Sequence, residues 1–129
     1  MDSRPTEAAL IARALAAIEQ VLARSTAHGA DAVPFWGPTD LGALPADDQH
    51  AVREREWQSY RAKPEHSARC LCLEAASALL DVSQMLVNLP PNPSPREREE
   101  QWSQLINHTK YAGRAAYRAA LILTDTKSQ

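Results

Sequence analysis

Cysteine is nearly missing from this sequence, and the two that occur, Cys70 and Cys72, stand only two residues apart. On a helix their side chains leave the axis about 200° apart, badly placed to bond each other. A fold built on disulfides is thereby excluded, and a reducing compartment agrees with it. An excess of positive charge is missing too: the formal net charge is -2 and the pI about 6.1. No global field therefore draws the chain to nucleic acid or anionic lipid. There is no alternating strand pattern bounded by turns and no internal repeat. No apolar run approaches the roughly 20 residues needed to span a bilayer. The start, Met1-Asp2-Ser3-Arg4-Pro5, lacks the apolar core of a signal peptide, so the expected location is cytoplasmic. Phosphate-binding glycine loops and serine-elbow motifs are likewise lacking. At 129 residues and 14.2 kDa, one domain is the default.

Helical periodicity is what remains, and it is strong. From about Ser67 to Leu89, the residues Ala68, Leu71, Cys72, Ala75, Leu79, Val82, Met85, Leu86 and Leu89 recur at spacings of three and four. From Pro95 to Leu123, the same holds for Trp102, Leu105, Ile106, Thr109, Ala112, Gly113, Ala116, Ala120 and Leu123. The proline-rich link Pro90-Pro91-Asn92-Pro93-Ser94 joins them, which predicts an antiparallel helical hairpin at the C-terminal side. Ser94-Pro95-Arg96-Glu97 reads as a capping box with proline at the first helical position. An earlier helix is expected from about Thr6 to Ala27, capped by Ser3 or Thr6, with Ile11, Leu15, Ile18, Val21 and Leu22 as its stripe and His28-Gly29 as its stop. Three of the four glycines and Pro34, Pro38 and Pro45 then make the segment 29–45 a long loop. A shorter helix from Pro45 or Ala46 to Ala62 should lie on the surface, anchored by Trp57 and Tyr60 among many charges. The expected architecture is all-α: a small bundle of three long helices and one shorter surface helix.

Candidate contact residues come from two places. Phe35 and Trp36 sit side by side within the glycine and proline loop, either as a cap on one end of the bundle or as an aromatic anchor for a partner. Lys110, Arg114 and Arg118 recur every four residues and so share one side of the last helix, expected to face solvent, with Tyr111 beside them. A basic strip with aromatics suits phosphates and bases, although cations near a helix C-terminus also answer its macrodipole. Gly113, with Ala112, Ala116 and Ala120, suggests a strip of small side chains on the buried face where another helix approaches closely, within the fold or in a homodimer. Metal sets are thin: His66 and Cys70 lie one turn apart without a second pair, and Glu74 and Asp81 lack the Glu-x-x-His pairs of di-iron bundles. Neither a metal nor a cofactor is expected.

The segment Arg61-Ala62-Lys63-Pro64-Glu65-His66 resembles the arginine, four residues, histidine arrangement of helical nucleases of the HEPN type. The resemblance covers six residues, holds Pro64 inside it and lacks the polar residue that usually follows the arginine. It implies an arginine that stabilises phosphate and a histidine that moves a proton, hence RNA cleavage. The sequence as a whole favours another expectation: a small soluble interaction or regulatory protein without catalytic activity. Its partner would be a protein or a second copy of the chain, with nucleic acid as the alternative and no membrane.

Overall fold

The computed structural model describes residues 3–25, 33–38 and 40–129. Among them the regular elements are helical: α1 (Glu7–Ser25), a one-turn 3-10 helix (Leu41–Ala43), α2 (Ala46–Ala62), α3 (Pro64–Val87) and α4 (Pro95–Lys127). The chain divides into two compact units, Met1–Ala32 and Val33–Gln129.

The first unit is α1. Thr6 caps it, its hydroxyl accepting the amide hydrogen of Ala9 at 3.1 Å. The stop expected at His28-Gly29 lies outside the described residues. Ile11, Leu15, Ile18 and Leu22 form the expected stripe and are exposed.

The second unit is organised by the α3–α4 hairpin. Ser94 caps α4 as its sequence implies, accepting the Glu97 amide hydrogen at 3.2 Å, with Pro95 in the first turn. The helix then continues to Lys127, beyond the Leu123 end read from the pattern. A single residue, Lys63, separates α2 from α3, and Pro64 opens α3 where a missing amide hydrogen costs nothing.

Between α3 and α4 most of the buried residues are alanines, with Leu71, Leu105 and Ile122 among them. Ala68, Leu71, Ala75 and Ala78 meet Ala112, Ala115, Ala119 and Ile122, with Tyr60 of α2 added and Trp36, Trp57 and Tyr111 packed against the cluster. Both helical sets follow a three-four-three spacing, the period of a coiled-coil seam. Alanine lets two backbones approach closely, so the seam selects the narrow small-residue stripe of each helix and turns the bulkier flank outward.

That choice keeps Ala68, Leu71, Ala75, Leu105 and Ala112 of the expected faces inside and corrects most of the rest. On α3, Cys72, Leu79 and Leu86 are exposed, Leu79 by 49% and Leu86 by 47%, as is Leu89 just beyond its end. On α4, Trp102, Ile106, Thr109, Ala116, Ala120 and Leu123 are exposed, while Ala115, Ala119 and Ile122 carry the burial. Gly113 is exposed as well, and a Cβ there would meet open space, so it serves no close helix approach. A second correction concerns α3 as a whole. By length and composition it is apolar enough to cross a membrane, because Glu74 and Asp81 interrupt its apolar runs without offsetting its overall hydropathy.

Candidate functional site

The α2 helix meets the loop and α4 through a polar corner. Its sequence, Arg53-Glu54-Arg55-Glu56, gives no local sign that one charge is inside, yet Glu56 is 7% exposed. One Glu56 oxygen takes the Arg118 Nε–H at 2.7 Å, and the other accepts the Gly37 amide hydrogen. A buried carboxylate needs such partners, since desolvation otherwise outweighs any attraction. Gly37 is required for the approach: a Cβ there would collide with Val52 and with the Glu56 carboxylate. The loop is further tied by the Phe35 amide hydrogen donated to Ser59 Oγ at 2.9 Å.

Phe35 and Trp36 have different fates. The Trp36 ring packs into the core edge, meeting Tyr111 edge to face at 6.0 Å between centroids. Tyr111 in turn donates its hydroxyl to Glu74 at 3.3 Å. Burial, then the Glu74 charge, pushes the Tyr111 phenol up from its ordinary value. Phe35 is more exposed, with the Arg55 guanidinium 4.6 Å above its ring. Trp36 thus acts as the internal cap of the two expected alternatives.

The basic strip is not the solvated face expected of it. Lys110 is exposed, but Arg118 is held by Glu56, its side chain 13% exposed, and Arg114 is partly buried beside them. The rotation of α4 that puts Ala115 and Ala119 in the seam also turns Arg114 and Arg118 toward α2. A cavity of about 440 Å³ opens at this corner, lined by His50, Trp57, Tyr60, Arg114, Tyr117 and Arg118 among others. The Tyr60 hydroxyl is sealed from solvent, with the Glu56 carboxylate nearby. Burial foremost, then the nearby Glu56 charge, pushes the Tyr60 phenol far above its ordinary value. Burial, with Arg118 alongside, lowers the Arg114 guanidinium from its ordinary value.

A second concavity lies between α3 and α4, nearer the proline-rich link. Val82, Leu86, Trp102, Leu105, Ile106, Thr109 and Lys110 line about 320 Å³ of nearly wholly apolar groove. A third, of about 730 Å³, has Asp40, Glu74, Asp81, Asn107, His108 and Tyr111 around it.

Arg61 and His66 stand on different helices, α2 and α3. Arg61, on α2, reaches Asp125 at the end of α4 at 3.3 Å and lies 5.4 Å from the Trp57 ring. His66, on α3, has Arg69 at 3.1 Å and the Cys70 thiol at 3.6 Å. The thiol of Cys70, rather than that of Cys72, is the half-buried one, and burial pushes it up. Among the described residues no group of three or more His, Cys, Asp or Glu side chains is placed to hold a metal ion. Comparison with known proteins gives no match to a family model, a curated protein or a solved structure.

Proposed function

We propose that this chain is a non-catalytic protein-interaction module that docks an amphipathic helix of a partner protein on the uncovered face of the α3–α4 hairpin. The observation that carries this is the apolar groove of Val82, Leu86, Trp102, Leu105 and Ile106. The seam leaves Leu79, Leu86, Trp102 and Ile106 about half exposed along both helices. Contiguous apolar surface of that kind marks interaction sites in soluble proteins, and a groove between two helices suits a third helix with anchors at three and four spacing. A second copy of the chain is one such partner, since its own hairpin presents the same face.

The test is recovery of partners from host cells by cross-linking, with the wild-type chain and with Ile106→Glu. A defined protein partner, or a dimer by light scattering, should be captured by the wild type and lost in the variant at an unchanged thermal midpoint. Capture of RNA, flotation of the purified chain with lipid vesicles, or the same partners with Ile106→Glu would overturn the proposal.

A further inference from the structure

The cavity at the α2–α4 corner is distinct from the apolar groove and has an unbalanced set of hydrogen-bond donors. Three arginines, Arg53, Arg114 and Arg118, line it with two glutamates, Glu54 and Glu56. Glu56 is already committed to Arg118 and to the Gly37 amide. Among the described residues Arg114 makes no ion pair, although it is partly buried. An arginine carries five N–H donors in a planar fork and no acceptor, and Arg118 spends its Nε–H on Glu56. Arg114 therefore keeps unmet donors beside Arg118, and the three arginines outnumber the two glutamates of the lining. That excess suits an anion that brings several oxygens at once, and phosphate brings three.

The remainder of the lining is mostly aromatic and apolar: Leu41, Trp57, Tyr60, Tyr117 and Leu121, with His50 beside them. About 440 Å³ lies within the range of small-molecule sites, which join a mostly apolar wall to a few convergent polar groups. Flat rings such as Trp57 and Tyr117 favour a flat apolar body, and stacking adds to what the charges provide. We infer that this cavity binds a phosphate monoester with an aromatic body, its phosphate on Arg114 with Arg118 alongside, its ring against Trp57 and Tyr117. Such an occupant supplies the acceptors that Arg114 lacks.

Isothermal titration of the full chain with phenyl phosphate, inorganic phosphate and phenol tests this. Phenyl phosphate should bind at least about tenfold more tightly than inorganic phosphate or phenol, because only it meets both halves of the cavity. Arg114→Gln should weaken phenyl phosphate about tenfold or more, the scale of one charge-assisted interaction. Tyr117→Ala, at an exposed ring, should weaken phenyl phosphate and leave inorganic phosphate unchanged. Lys110→Gln, on the same strip but outside the cavity, should leave the affinity unchanged. Thermal midpoints of all three variants separate lost binding from lost folding, and Tyr117→Ala carries the test if Arg114→Gln unfolds. Equal affinity for phenyl phosphate and inorganic phosphate, or equal loss with Lys110→Gln and Arg114→Gln, overturns the inference. Failure here leaves the hairpin groove untouched, since Ile106→Glu reports on that surface alone.

Discussion

The hairpin seam and the α2 corner hold the second unit together by different means. Along the seam, Ala68, Leu71, Ala75 and Ala78 lie against Ala112, Ala115, Ala119 and Ile122 with no polar side chain among them. At the corner, three separated pieces of chain converge on one buried carboxylate, Glu56, shared by Arg118 and the Gly37 amide. A dry seam is spread over many small contacts and tolerates the loss of any one in proportion to its volume. A buried ion pair concentrates its dependence in two residues, because removing either strands the other. The seam sets which faces of α3 and α4 are inside, and the corner sets where α2 and the loop attach.

The largest effect should follow from breaking the corner. Glu56→Ala leaves Arg118 and the Gly37 amide without their acceptor, and should cost about 3 to 5 kcal/mol in urea unfolding. Replacing both members, as Glu56→Leu with Arg118→Met, should recover much of that loss, since two apolar side chains of similar volume strand no charge. If the single and double variants unfold alike, the corner is no more concentrated than the seam.

The seam is probed next by contrast within α3. Leu71 is fully buried, so Leu71→Ala should cost about 2 to 5 kcal/mol. Leu79, half exposed, should cost about 1 kcal/mol or less on the same change, although the sequence pattern alone ranks the two residues as equals. Equal losses at Leu71 and Leu79 would return the buried face to the wider stripe. The smallest effect is a gain. Gly113 lies in the interior of α4 with open space where a Cβ would stand, so Gly113→Ala should raise stability by about 0.5 to 1 kcal/mol. A loss on that change, read from the thermal midpoint, would show a close neighbour at Gly113 and revive the small-residue strip.

The outcome at particular residues shows how much was legible. Capping signals are local, so Thr6 and Ser94 were found where the sequence placed them, each accepting the amide hydrogen three residues on. Tyr60 and Trp57 were legible as anchors because aromatics stand out on a helix otherwise rich in charge. Glu56 was not legible, since its neighbours Arg53, Glu54 and Arg55 are exposed and nothing in that run marks one carboxylate for burial. Arg114 and Arg118 were recognised as sharing one side of α4, but their surroundings were misjudged along with the rotation of the helix. The only available hint was the pair of alternative stripes, Ala112-Ala115-Ala119-Ile122 and Ala112-Ala116-Ala120-Leu123, which differ by one position.

By itself, then, the sequence determined the helical class, the four helices, the caps at Thr6 and Ser94, and the hairpin made by the proline-rich link, because each depends on periodicity and on backbone groups a few residues apart. Which stripe of α3 and α4 turned inward was decided only by tertiary packing. Two stripes about 100° apart are nearly equal in apolar content, and close backbone approach at alanine selects between them. That same rotation brought Arg118 onto Glu56 and set Arg114 beside it, a juxtaposition of residues 58 and 62 positions apart that no local pattern encodes.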